Sequence, residues 1–249
     1  MTPANPSSEP NWPIGWTIRR VLETGSTNDD LVAAAHAGAA DQTAIVAEYQ
    51  TAGKGRLDRT WDATRGSNLL VSLLFRYQAE HPTRFARIVA LACRAACAGL
   101  VGETIALKWP NDLVVDDRKL AGLLAVAVPQ ERFVVVGIGV NVGWAPDGAV
   151  RLLDVGRSSA SANVTPLTLL AAMLEQIDAR RSQGDDELRR EHMSVLATLG
   201  TRVRVELQAG ATLVGLANDV DDESRLIVVD DDGAQHVVDV GDVVHLRAR

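Results

Sequence analysis

The sequence predicts an α+β protein, with a main domain of mixed strands and helices over residues 14–199 and a small all-β barrel over 200–249. Three observations predict it. Strand-like and helical runs interleave up to Gly200, and two helical segments, 166–181 and 185–199, close that part. Gly200 then marks a change of pattern. Beyond it come five short strand runs (202–207, 212–217, 225–229, 236–240 and 243–246) separated by acidic turns, the spacing of a small barrel.

Residues 1–13 are rich in proline, serine and asparagine, with no basic start and no apolar core, so they read as a flexible tail and not as a signal peptide. Residues 17–23 alternate and read as a strand. Ser26 and Thr27 are suited to cap the short helix that follows, with Asp29 and Asp30 placed to favour its dipole. Two nearby carboxylates make that turn a poor anion site, whereas its hydroxyls suit an uncharged hydrogen-bonding group. Residues 43–50 read as a strand, 67–76 as another, and 82–100 as a packing helix ended by Gly99 to Gly102. Residues 105–124 read as strand, proline turn, strand, polar turn and strand. Residues 133–142 form an apolar strand with glycines at 137 and 139, where side chains would otherwise project.

The stretch 51–61 stands apart. Gly53 and Gly55 bracket Lys54, and Lys54, Arg56 and Arg59 put three cations within six positions before Trp61. Bare amides and clustered cations suit a phosphate or an adenylate, and a solvated basic hairpin loop would look the same.

Composition narrows the classes. The chain has 249 residues, 47% of them hydrophobic, enough for a substantial core. Its net charge of -7 argues against a general nucleic-acid binder. From Gly200 onward there are five arginines against ten Asp and Glu, so this part carries most of the negative charge. Its acidic clusters 219–223 and 230–232 read most simply as hairpin turns. Cys93 and Cys97 sit four apart in an alanine-rich helical pattern and read as buried thiols, in keeping with a reducing, cytoplasmic setting. No apolar run is long enough for a membrane span. Neither a nucleic acid nor a membrane is therefore expected as a partner. The phosphate loop G-x-x-x-x-G-K-[ST], the nucleophile elbow G-x-S-x-G and the zinc helix H-E-x-x-H are absent, and the five histidines form no pair at metal-ligand spacing.

Four blocks occur in order. They are 24–28 (Thr-Gly-Ser-Thr-Asn), 50–56 (Gln-Thr-Ala-Gly-Lys-Gly-Arg), 108–112 (Lys-Trp-Pro-Asn-Asp) with 118–124 (Arg-Lys-Leu-Ala-Gly-Leu-Leu), and 137–141 (Gly-Ile-Gly-Val-Asn). With them, over roughly residues 21–249, the chain resembles a biotin protein ligase. The resemblance implies a mixed β-sheet catalytic domain packed with helices, class II synthetase-like and of the biotin/lipoate ligase type, plus a C-terminal SH3-like β-barrel. It implies that biotin and MgATP give biotinyl-5′-AMP and pyrophosphate, and that biotin then passes to one lysine of a biotin carboxyl carrier domain of a biotin-dependent carboxylase.

By the same resemblance, Ser26, Thr27, Asn28, Gln50, Gly53, Gly122 and Gly137 would bind biotin. Lys54, Gly55, Arg56, Trp61, Lys119 and Asn141 would bind ATP or the adenylate, Asn141 near the adenine. A carboxylate attacking a phosphate meets charge repulsion, which Lys119 and Arg56 would neutralise while aligning the two. Asp112 is the carboxylate nominated to orient or help deprotonate the acceptor amine; an aspartate with a structural part after the Pro110-Asn111 turn is the other reading. Two departures stand out. Lys54 occupies a place where arginine is common, and Leu57-Asp58 replaces a basic residue or histidine followed by glycine, which removes a flexible position and adds a carboxylate. Only about twenty residues precede Val21, too few for the N-terminal winged helix of the family's transcriptional repressors. The nearer rival is a lipoate or octanoate ligase of the same fold.

Overall fold

The computed structural model describes residues 10–156, 164–207, 211–239 and 241–245. Most of the expected tail therefore lies outside the described residues. The described chain holds two sheets. The first has seven strands: β1 (Thr17–Val21), β2 (Thr43–Ala47), β3 (Leu69–Arg76), β4 (Ala106–Lys108), β5 (Asp112–Val115), β6 (Arg118–Val128) and β7 (Phe133–Val140). Their order is β1-β2-β3-β7-β6-β5-β4, with β1 and β2 parallel and every other pair antiparallel.

The period-2 alternation of these strands sorts their side chains between two faces. On one face Leu69, Val71, Leu73 and Phe75 of β3 and Val134, Val136, Ile138 and Val140 of β7 join the main core. That core includes buried residues of α2 (Thr83–Val101) and α4 (Pro166–Arg181). On the other face a smaller cluster of Leu74, Phe133, Val135 and Ile45 is covered by Leu31 and Ala35 of α1 (Thr27–His36). Continuing along that face, β7 presents Gly137 and Gly139, and β6 presents Gly122. The sheet is therefore hollow just beyond the N-terminus of α1, and this fixes where a ligand can lie.

Beyond the one-turn α3 (Leu152–Val155), the chain runs through α4 to α5 (Asp185–Ser194). The stretch after α5 leaves the helix, because Leu107 N–H donates to Val195 O at 2.9 Å and Ala197 N–H to Leu107 O at 2.8 Å, extending the edge at β4.

The second sheet contains β8 (Arg202–Leu207), β9 (Thr212–Val220), β10 (Leu226–Val229), β11 (Gln235–Val238) and β12 (Gly241–His245), all antiparallel in the order β11-β10-β9-β8-β12. The expected barrel is corrected here. Among the described residues the sheet is open, since β11 and β12 each pair on one side only and do not pair with each other. It needs no closure to bury its apolar face, because Val203, Val205, Ala217, Val228 and Val243 merge with the main core. The acidic turns are hairpin connections, and the first also fastens the two sheets. Arg189 pairs with Asp219 at 3.0 Å, Arg87 donates to Asp222 O and Ser224 Oγ at 3.0 Å, and Trp109 Nε1 donates to Ser224 O at 2.8 Å.

His192 of α5 lies buried in this region. Burial, and secondarily Arg87, lowers its pKa to about 4. The unfolded chain takes up that proton near pH 6.5, so the neutral buried imidazole favours folding above this value. The contribution is lost as pH falls from 6.5 towards 4, amounting to about 3 kcal/mol at most. A His192→Leu variant is expected to unfold in urea with a smaller stability loss between pH 7 and pH 4.5 than the parent. Equal losses would remove His192 from the account.

Candidate active site

The hollow on the sheet is the floor of a cleft of about 420 Å³. One part of it is neutral and polar. The α1 N-terminus turns Thr27 and Asn28 onto the sheet, while Ser26 remains outside the helix as its cap, its Oγ 3.5 Å from Asp29 N. Asn28 Nδ2 donates to Leu124 O at 3.1 Å, and its Oδ1 accepts from Ser72 Oγ at 2.5 Å. Ser72 Oγ lies 2.7 Å from Thr27 Oγ1, and Gln50 Oε1 accepts from Thr27 N at 2.7 Å. Thr27 Oγ1 is also 3.0 Å from Gln50 Oε1, so its single proton serves either Ser72 or Gln50. These residues are nearly all buried, and none carries a charge. Such a chain of amides and hydroxyls matches a neutral group with both donors and acceptors.

Glycine at 137 is required by this chain. A Cβ there would lie 2.3 Å from Asn28 Oδ1. The approach it permits is that of Asn28, which sits over the bare backbone. At Gly139 a Cβ would lie 2.3 Å from the Trp61 ring, and at Gly122 it would meet both Trp61 and the Lys119 ammonium at 3.0–3.1 Å. Trp61 thus lies across β6 and β7 in the space that side chains at 122 and 139 would have filled. Its Nε1 is buried with no hydrogen-bond partner.

The rest of the lining is charged. Lys119 Nζ pairs with Asp112 at 2.7 Å and stands 5.5 Å from the centre of the Trp61 ring. Register explains the pairing: Asp112 opens β5 opposite Gly122, and a bulge after Leu113 brings Lys119 alongside Val114. Arg56 Nη1 donates to Asn111 Oδ1 at 3.4 Å, and Asn111 is itself anchored by Nδ2 to Leu123 O at 2.6 Å. Lys54 lines the cleft with its ammonium held by Asp29 at 2.6 Å, an exposed pair that a phosphate could exchange at little cost.

Residues 53–61 form a hairpin. Trp61 N–H donates to Gly53 O at 2.9 Å and Gly55 N–H to Arg59 O at 2.6 Å. A Cβ on Gly53 would lie 2.5 Å from Trp61 O, so that glycine serves the closure of the hairpin. At its tip Leu57 and Asp58 have φ of 53° and 57°, the two left-handed residues of a type I′ turn. Leucine and aspartate reach that region at a cost of about 1 kcal/mol each, where glycine would pay little. Asp58→Gly is therefore expected to stabilise the closed hairpin and slow escape of a bound adenylate about fivefold. Filter-binding release kinetics would check this, and faster release would contradict it.

The structure brings Ser26, Thr27, Asn28, Gln50, Lys54, Gly55, Arg56, Trp61, Asp112, Lys119, Gly122 and Gly137 to this one cleft. Gly53 and Asn141 do not line it. Asn141 is buried against the start of β6, where its Nδ2 donates to Lys119 O at 3.4 Å and its Oδ1 has no partner. Sequence reasoning missed Ser72, whose only signal was one hydroxyl in an otherwise apolar strand. It also passed over Arg59, Lys108 and Gly139 as site residues although each stood in a quoted stretch. Glu206, Val243 and Val244 of the second sheet complete the lining. His245 helps hold that sheet in place: Nε2 is 3.3 Å from Thr198 Oγ1, which accepts from Trp109 N at 3.0 Å. Burial first, then Lys108, lowers the His245 pKa, with Asp117 opposing.

Among the described residues no group of three or more His, Cys, Asp or Glu could hold a metal ion, and no helix is long and apolar enough to cross a membrane.

Two family models match the chain: the biotin/lipoate A/B protein ligase family over residues 23–142, and the biotin protein ligase C-terminal domain over 198–246. The chain is 40% identical to the biotin–[acetyl-CoA-carboxylase] ligase of Mycobacterium tuberculosis, covering 94% of this chain and 91% of that protein. It is 27% identical to the bifunctional ligase/repressor BirA of Bacillus subtilis, over 82% of this chain and 66% of that one. In fold it is similar to the biotin protein ligase of Aquifex aeolicus in complex with biotin and ATP, with TM-score 0.73, 23% identity, and 93% and 99% of the two chains covered. The ligase of Leishmania major in complex with biotinyl-5-AMP gives a TM-score of 0.64 at 22% identity, covering 90% and 98%.

Proposed function

The chain belongs to the biotin protein ligase family, and from that premise we propose that its cleft joins biotin to ATP as biotinyl-5′-AMP and passes the biotinyl group to a lysine of a biotin carboxyl carrier domain. The observation that carries this reading is the junction, in one cleft, of the neutral chain Asn28–Ser72–Thr27–Gln50 with the cations Lys119 and Arg56.

The neutral chain suits a ureido ring, which both donates and accepts and bears no charge. Lys119 and Arg56 would meet the carboxylate and the α-phosphate, screening their repulsion so that the carboxylate oxygen can attack phosphorus and pyrophosphate can leave. Asp112, 2.7 Å from Lys119, fixes where that ammonium stands and remains beside the point at which an acceptor amine must arrive. The unpartnered Trp61 Nε1 is a donor that a nucleotide could satisfy, in keeping with Trp61 on the adenylate. Gly55, Lys54 and Arg56 on the hairpin would close over the phosphates. Mg²⁺ would enter with the ATP phosphates and its waters.

Incubation with ATP, Mg²⁺, a carrier domain and either biotin or octanoate, followed by mass measurement of the carrier, tests the reading. The expected result is a biotinyl mass increase with biotin and none with octanoate. The reverse would assign the cleft to a lipoate-type acid.

A further inference from the structure

The transfer step poses a charge problem. Lys54, Arg56, Arg59, Lys108 and Lys119 all line the cleft, a set that suits a carboxylic acid and a polyphosphate but opposes an arriving ammonium. Two carboxylates line it as well, Asp112 and Glu206. Asp112 is engaged by Lys119 at 2.7 Å. Glu206 comes from β8 of the second sheet, its side chain 57% exposed, and among the described residues its nearest cation is Arg204 at 3.8 Å, beyond hydrogen-bond distance. Arg204 pairs in register with Val244, so Glu206, two residues on, projects from the same face of the β8–β12 ladder as Val244. Val244, exposed on the face of Glu206, and Val243, turned into the core, line the cleft from β12. An exposed carboxylate beside an apolar wall is the complement of a lysine side chain, a charged head on an apolar stem.

Resting on the ligase reading above, we propose that Glu206 receives the ammonium of the acceptor lysine and aims its nitrogen at the bound adenylate. In the transfer the lysine nitrogen bonds to the acyl carbon, the bond from that carbon to the phosphate oxygen breaks, and AMP leaves with the electron pair. The nitrogen loses two protons, one before attack and one after, and both pass to water at the cleft mouth. Glu206 acts by orienting and concentrating the acceptor, so its influence falls on the second step. The C-terminal sheet thereby takes part in recognising the acceptor.

The test uses the full chain with Glu206→Gln and Glu206→Lys, neither of which disturbs a buried contact. Biotin-dependent pyrophosphate–ATP exchange reads the first step. Transfer from preformed adenylate to a carrier domain, and to hydroxylamine as an uncharged nucleophile, reads the second. For Glu206→Gln, kcat/KM for the carrier is expected to fall about tenfold relative to exchange, mainly through KM, with the deficit shrinking at high salt. Glu206→Lys should lose more, while the hydroxylamine reaction keeps pace with exchange in both. Carrier transfer equal to the parent's, or losses of the same size in exchange and in the hydroxylamine reaction, would overturn the assignment. If the parent itself showed no biotin-dependent exchange, the ligase reading would be at fault and not this one.

Discussion

Replacing Lys119 by alanine is expected to lower biotin-dependent pyrophosphate–ATP exchange about a thousandfold, with kcat and kcat/KM falling together. The reason lies in what the ammonium faces. A carboxylate and a phosphate cannot approach within bonding distance unless a cation screens them, and in a partly enclosed cleft water does so poorly. Lys119 is placed for that task by the bulge in β5–β6 and by Asp112 at 2.7 Å. Arg56 reaches the same cleft from the hairpin, so a residual rate should remain. Lys119→Arg is expected to recover only part of the loss, because a planar guanidinium spreads its charge and cannot stand in the same place between Asp112 and Trp61. Exchange at the parent's rate in the alanine variant would refute the role. Loss of the folded state, read by circular dichroism, would have to be excluded first, since Asp112 loses its ion-pair partner.

Gly137→Ala is expected to weaken biotin binding about a hundredfold while the protein stays folded. The added methyl would stand 2.3 Å from Asn28 Oδ1, so Asn28 must leave its position. Its bonds to Leu124 O and Ser72 would then be lost, and the Thr27–Gln50 end of the chain would lose its orientation. A hundredfold loss is on the order of 3 kcal/mol, about what two hydrogen bonds from a displaced Asn28 and a disoriented Thr27–Gln50 pair to the ligand would contribute. Isothermal titration with biotin alone checks it, since no catalytic step is involved. Unchanged affinity would show that Asn28 has no part in holding the ligand.

How much of this was legible beforehand can be followed residue by residue. The two glycines of β7 announced a missing pair of side chains, and the cation-rich stretch after β2 proves to line the same cleft. The hydroxyls at 26 and 27 do line the neutral part of the cleft, beside carboxylates at 29 and 30 that would repel an anion. The open second sheet was not legible. Short strands with acidic turns are written alike whether a sheet closes on itself or rests its apolar side on a neighbour, and here the neighbour was the main core. Leu57-Asp58 was expected to remove a flexible position and add a carboxylate; what the sequence did not tell is that both residues occupy left-handed backbone at a type I′ tip.

By itself the sequence determined the elements, the family and twelve of the residues that line the cleft, because period-2 and helical patterns and contiguous motifs are local properties. Only the tertiary structure decided that Ser72 links Asn28 to Thr27, that Gly137 makes room for Asn28 and Gly139 for Trp61, and that Glu206 enters the cleft from another sheet. Those facts depend on which strands lie side by side and in what register. Residues 28 and 137 meet, as do 61 and 139, through packing that no single stretch of the chain encodes.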